Sequence, residues 1–66
     1  MNNFVKGDLV IITADKTNND PVAAEYLNDH AIIQDIFFDH AIVTLLNGET
    51  HKIQLNNLRR VNDDSI

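Results

Sequence analysis

The chain of 66 residues contains no cysteine, which excludes a disulfide framework and a metal site with thiolate ligands. It also lacks any apolar run near the roughly 20 residues that a transmembrane helix needs. Residues 1–4 do not resemble the start of a signal peptide. Because 44% of the residues are hydrophobic, the chain is too apolar to stay disordered. We therefore expect one cytoplasmic domain over residues 1–66, ordered over about 5–61, with a flexible acidic tail at 62–66.

Basic residues are scarce, since five lysines and arginines face ten acidic residues and the net charge is −5. Nucleic-acid binding draws much of its affinity from lysine and arginine contacts with phosphates, so this composition disfavours it. The one candidate basic patch consists of Lys6, Lys52, Arg59 and Arg60. The surplus of carboxylates suits a basic protein partner, or serves solubility alone.

The residues that usually carry catalysis or hold metals are also few. No glycine-rich phosphate loop is present, and Ser65 lies in the expected tail. The simplest strand register places His51 opposite Thr44 and keeps His30 far from His40, so the histidines do not converge on one metal ion. A barrel of this size is filled by its own side chains. We expect no enzymatic activity, no cofactor, no metal and no small-molecule substrate.

The order of local signals predicts a mostly β chain. Asp20-Pro21 has the residues preferred at a helix N-cap and at the first helical position. Asn47-Gly48 between apolar runs predicts a hairpin with a type I′ turn, and Asp39-His40 predicts a shorter turn before it. Together the signals give strands over 9–13, 30–38, 41–46, 49–55 and 59–61, helical turns over 21–27 and a 3₁₀ turn over 56–58.

Four short motifs then resemble those of SH3-like barrels of the KOW and translation-protein type: Lys6–Ile12, Ala31–Ile36, Val43–Gly48 and Leu58–Val61. The resemblance implies an all-β, five-stranded barrel with a short helical turn in the first long loop and a 3₁₀ turn before the last strand. It also implies association with nucleic acid or the ribosome. The family usually carries a basic loop for RNA contacts, whereas this loop is acidic and rich in asparagine.

The resemblance also implies which side chains face the barrel interior. They are Val10, Ile12, Ala31, Ile33, Ile36, Val43, Leu45, Ile53, Leu58 and Val61. The three-residue step from Ile33 to Ile36 breaks strict alternation, which predicts a β-bulge near Gln34 and Asp35.

This inward set leaves more apolar residues than the interior holds. At least some of the following point outward: Leu9, Ile11, Ile32, Phe37, Phe38, Ile42 and Leu46. One interpretation is that residues 1–4 and 21–27 cover them. The other is an exposed patch for a homodimer or a protein partner, with Tyr26, Phe37, Phe38 and Ile42 as the binding residues.

Three functional hypotheses follow from the sequence. The first is a non-enzymatic module that binds a protein partner, or itself, through the apolar and aromatic patch. The second is a nucleic-acid or ribosome-associated module that uses the four basic residues. The third is an acidic decoy that occupies the groove of a nucleic-acid-binding protein.

Overall fold

A computed structural model describes residues 4–61, and the predicted tail at 62–66 lies outside them. It confirms the all-β class with one short helix in the first long connection and one 3₁₀ turn before the last strand. The elements in chain order are β1 (Leu9–Ile12), α1 (Pro21–Glu25), β2 (His30–Phe37), β3 (His40–Leu45), β4 (Thr50–Gln54), the 3₁₀ turn Leu55–Asn57 and β5 (Leu58–Arg60).

The five strands form one antiparallel sheet in the order β4-β3-β2-β1-β5. The two edge strands, β4 and β5, are joined by the 3₁₀ turn Leu55–Asn57 alone. In a flat sheet they would lie four strand spacings apart, about 19 Å. The connection from Gln54 to Leu58 spans at most about 14 Å. The sheet must therefore roll until its edges approach, which gives it an inner and an outer face.

The inner face carries the core, because side chains on each strand alternate between the two faces. Of the predicted inward set, Ile36 and Val61 are only half-buried. Ala23, Ala41 and Leu55 are buried although they were not in that set. The buried hydrophobic residues are Val10, Ile12, Ala23, Ala31, Ile33, Ala41, Val43, Leu45, Ile53, Leu55 and Leu58.

The predicted β-bulge in β2 is confirmed. Ile33 pairs with Val43, and Asp35 pairs with Ile42, so Gln34 has no partner of its own on β3. A bulge bends its strand and increases the local twist, which a rolled sheet of this size requires. Beyond the bulge the alternation resumes with the phase shifted, so Asp35 and Phe37 lie on the outer face and Ile36 on the inner one.

The hairpin between β3 and β4 forms where predicted, but the prediction of a type I′ turn is wrong. That turn needs a positive φ at both central residues, and only Gly48 has one, at 94°. Leu45 and Glu49 close a three-residue loop, with the Leu45 N–H donating to the Glu49 carbonyl at 2.8 Å. The extra loop residue moves the register by one, so His51 pairs with Val43 and not with Thr44.

The turn between β2 and β3 also differs from the prediction by one residue. Phe37 pairs with His40, so Phe38 and Asp39 form the loop, whereas the sequence predicts Asp39 and His40. The 3₁₀ turn likewise begins one residue earlier than predicted, which buries Leu55.

Helix α1 is too short to be stable alone and is held by side chains at its ends. As predicted, Asp20 caps it: Oδ1 accepts the N–H groups of Val22 at 3.0 Å and Ala23 at 3.4 Å. The other oxygen, Oδ2, accepts the N–H of Gln54 in β4 at 3.2 Å. A single carboxylate thus begins the helix and docks it on the edge strand. No helix within residues 4–61 is long and apolar enough to cross a membrane.

The long loop before α1 is tied to the 3₁₀ turn by Asn57, a buried polar side chain with 1% of its surface exposed. Its Nδ2 donates to the Thr13 carbonyl at 3.0 Å, and its Oδ1 accepts from Asn18 Nδ2 at 2.9 Å. Its backbone carbonyl accepts the Thr13 N–H at 2.7 Å. Because its side chain carries both a donor and an acceptor, Asn57 satisfies two separate parts of the loop.

We predict that Asn57→Ala lowers the free energy of unfolding by about 1–3 kcal/mol, since it removes both side-chain hydrogen bonds that join this buried residue to the half-buried Thr13 carbonyl and Asn18 amide. Urea titration followed by circular dichroism measures this change. Asn56→Ala is the matched control, because Asn56 is exposed and should change stability by less than about 0.5 kcal/mol. Equal effects of the two substitutions would contradict the role of Asn57.

Candidate interaction surface

The tip of the β2–β3 hairpin carries two adjacent exposed aromatic side chains. Phe38 is 95% exposed and Phe37 is 51% exposed. The loop beside them is ordered by His40, whose Nδ1 lies 2.6 Å from Asp39 Oδ1. Large aromatic side chains contribute most to binding free energy when a partner removes them from water. An exposed pair of them is therefore typical of a contact site.

The backbone at Phe38 is in the left-handed region, with a φ of 48°. A two-residue hairpin loop with a positive φ at its first position favours glycine there. For a bulky aromatic residue this conformation is an outlier, and it costs on the order of 1 kcal/mol or more. The fold gains nothing from the ring, which is exposed, so strain and exposure coincide at one residue.

Ile42 lies on the outer face next to this tip. It pairs with Asp35 of β2 on one side and with Lys52 of β4 on the other. Directly paired residues of an antiparallel sheet point to the same face, so these three side chains form one row across three strands. We call Phe37, Phe38 and Ile42 the hairpin patch.

One interpretation of the sequence is that residues 1–4 and 21–27 cover the outer face. Of the apolar residues concerned, Phe37, Phe38 and Leu46 are exposed, whereas Leu9, Ile11, Ile32 and Ile42 are half-buried. Phe4, Val22 and Tyr26 pack against the core. Helix α1 contacts β4, and Phe37 and Phe38 stay exposed. Residues 1–3 lie outside the description. Within residues 4–61, Phe37 and Phe38 therefore remain exposed, whereas Ile42 is half-buried.

Tyr26 is separate from the hairpin patch. Its ring lies 4.8 Å from the His51 ring, between centroids, and its hydroxyl donates to Glu49 Oε1 at 3.0 Å. The same oxygen lies 3.0 Å from His51 Nε2. His51 shares the inner face with Ile53, whereas Lys52 and Ile42 point outward. We call Tyr26, Glu49 and His51 the helix clasp, because they hold the end of α1 against β4.

The helix clasp changes the acidity of two of its members. The hydrogen bond to Glu49 is the main reason that the pKa of Tyr26 rises from 10.0 to about 12. Hydrogen bonds from His51 and then Tyr26 lower the pKa of Glu49 below its ordinary value. Both pKa changes mean that the hydrogen bonds favour the charged Glu49 carboxylate and the neutral Tyr26 phenol. These are the forms in which the phenol donates to the carboxylate and the helix clasp forms.

The four residues of the candidate basic patch lie in different surroundings. Lys6 Nζ lies 3.6 Å from Asp35 Oδ1, and Arg60 Nε lies 3.4 Å from Asp8 Oδ2. Lys52 and Arg59 are exposed on β4 and β5, the two edge strands of the rolled sheet. Carboxylates thus accompany half of the patch.

Two shallow clefts lie away from the hairpin patch. One, of about 290 Å³, is lined by Asp29, His30 and Leu46 among others, and the second, of about 200 Å³, lies between α1 and the loop before it. Among residues 4–61 no three His, Cys, Asp or Glu side chains come together in a way that could hold a metal ion.

Sequence reasoning found the aromatic tip but missed the charged neighbours of Ile42. Finding Asp35 and Lys52 beside it requires the register of two hairpins. The bulge at Gln34 was predicted, but the length of the β3–β4 loop was not. Glu49 and His51 were missed as partners of Tyr26 for the same reason.

Comparison with known proteins adds no family or relative: no family model, no curated protein and no solved structure matches this chain. The resemblance to SH3-like barrels therefore stays a prediction that rests on the four motifs.

The chain has one tyrosine and no tryptophan, so absorbance reports on the Tyr26 phenol alone. We predict that the phenol ionises with a midpoint at pH about 12 and not 10. Because the folded pKa is raised, the stability that this group contributes is complete below pH 10 and is lost as the pH rises toward about 12.

Glu49→Ala removes the main acceptor and should return the midpoint toward 10, whereas Glu25→Ala, which removes a smaller charge effect and a weaker hydrogen bond, should move it less. Circular dichroism at each pH verifies that the chain stays folded. A wild-type midpoint at 10 in the folded chain would show that the helix clasp does not form.

Proposed function

We propose that the chain is a non-enzymatic interaction module that binds a protein through the hairpin patch. The observation that supports this most strongly is Phe38, which combines 95% exposure with a strained positive φ. Strained residues of this kind are concentrated at functional sites, because stability alone selects against them. A glycine at this position would remove both the backbone strain and the exposed apolar ring. We therefore attribute the phenylalanine ring to a role outside the fold.

A binding partner supplies that use. Burial of apolar surface contributes about 25 cal/mol per Å², and aromatic side chains at the centre of an interface carry much of the binding energy. Phe37 adjoins Phe38 and is half-exposed, and Ile42 extends the apolar surface across β3. These three apolar side chains lie on two paired strands and on the loop that joins them.

The alternative functions lack comparable support. Nucleic-acid binding draws on cations that can meet phosphates, whereas acidic residues outnumber basic ones two to one in this chain and Arg60 lies 3.4 Å from Asp8. Tyr26, the remaining aromatic candidate, is engaged in the helix clasp. The acidic-decoy function gives no role to an exposed phenylalanine.

We predict that Phe38→Gly does not destabilise the fold and raises the free energy of unfolding by up to about 1 kcal/mol, since it relieves backbone strain. Leu46→Gly is the matched control. Leu46 is also exposed in a hairpin loop but has no positive φ, so glycine there should cost about 0.5–1 kcal/mol. Urea unfolding compares the two. A large loss of stability in Phe38→Gly would place the ring in the fold and not in an interface.

Binding is tested by placing the photo-cross-linker benzoylphenylalanine at position 38, with position 16 as control because Lys16 is exposed on the long loop. Each protein is irradiated both alone and in an extract of cells that express the chain naturally. We expect position 38 to give a discrete cross-linked species in at least one of the two settings, and position 16 to give none. No cross-link above the control in either setting would contradict the proposed function.

A further inference from the structure

We infer that the partner of the hairpin patch is a second copy of this chain, docked face to face about a two-fold axis parallel to β3. This inference rests on the proposed function and names its partner. It rests on the order of charges along one row of the outer face. When two copies of this row meet about a two-fold axis, opposite charges lie against each other.

That row is Lys52, Ile42 and Asp35, on β4, β3 and β2. Adjacent strands are about 4.8 Å apart, so a cation and an anion flank the isoleucine at equal distances. Lys52 is exposed and the Asp35 side chain is 46% exposed. Both charges are therefore accessible to a molecule that lies against Ile42.

A two-fold axis makes the contact isologous, so each residue of one copy meets the symmetry-related position of the other. With the axis parallel to β3 and lying between the two copies over Ile42, the two isoleucines meet at the centre. Lys52 of each copy then faces Asp35 of the other, which gives two equivalent ion pairs. An axis perpendicular to the strands would instead place Lys52 against Lys52, so the charges select one orientation.

The neighbouring rows are compatible with this orientation. Toward the tip the row is Phe37, His40 and Gln54, and away from it Ile32, Thr44 and Thr50. The axis keeps both hairpin tips at the same end of the pair, so the two exposed Phe38 rings become neighbours. The contact thus has Ile42 at its centre, a charged residue on each side of it and two phenylalanine rings at one end.

The side chain of Lys6 and the net charge of the chain also affect this arrangement. Lys6 lies 3.6 Å from Asp35, but its side chain is 71% exposed, and such surface pairs contribute little and exchange partners freely. The net charge of −5 on each copy is repulsive, yet that repulsion is screened beyond about 8 Å at physiological ionic strength. The local row therefore decides the contact.

The inference is tested with two charge-reversal variants of the whole chain, Lys52→Glu and Asp35→Lys. Each alone sets like charges against each other at both symmetry-related contacts. We expect the dissociation constant of each variant dimer, measured by sedimentation equilibrium, to be at least about tenfold higher than that of the wild-type dimer. Mixed in equal amounts, the two variants present opposite charges at every contact and should form a one-to-one heterodimer as tight as the wild-type dimer.

Arg59→Glu is the control, because it makes the same change on β5, outside the row, and should leave association unaltered. Failure of the mixture to associate more tightly than either variant would overturn the inference. So would a wild-type chain that remains monomeric at about 1 mM. If position 38 cross-links to another protein in the extract while the purified chain stays monomeric, this inference fails and the proposed function stands. If the heterodimer forms without any cross-link from position 38, the row is right and the role given to Phe38 is wrong.

Discussion

The short 3₁₀ connection between the two edge strands is the constraint on which the rest of the structure depends. Because Leu55–Asn57 cannot reach across a flat sheet, the sheet rolls, and the rolling creates an enclosed inner face for a core that a 66-residue chain could not otherwise bury. The same turn places Asn57 under the long loop, so the segment that closes the sheet also ties down its least regular part. The outer face is left convex, with the β2–β3 hairpin at one end.

The sequence predicts those features that depend on a few neighbouring residues. Asp20 and Pro21 carry their own helix-start signal, and the break in alternation between Ile33 and Ile36 indicates the bulge. Loop lengths escape prediction because they depend on competition between similar turns. Around Asn47, the side chain accepts the Glu49 N–H at 2.9 Å, which favours a three-residue loop over the expected two-residue turn. That single residue moves His51 to the face where it meets Tyr26, and no local pattern shows it.

The exposed and half-buried aromatic residues divide into two kinds of role. Tyr26 belongs to the fold: its hydroxyl and ring close the helix clasp and keep a five-residue helix alongside β4, and its raised pKa reflects this use. Among residues 4–61, Phe37 and Phe38 make no comparable contact, and at Phe38 the backbone itself is strained. The sequence grouped all three as candidate binding residues because composition does not distinguish an aromatic ring that docks a helix from one that stays exposed. The cross-strand register makes that distinction.

The proposed self-association uses the outer face of β2, β3 and β4, with charges arranged to fix its orientation. The most direct test is a dilution series of ¹H–¹⁵N NMR spectra of the uniformly labelled chain, which reports every backbone amide without any substitution. The account predicts concentration-dependent shifts confined to residues near Asp35, Phe38, Ile42 and Lys52, with Lys16 and Arg59 unchanged. Spectra that do not change with concentration, or shifts centred on β5 or the long loop, would contradict it.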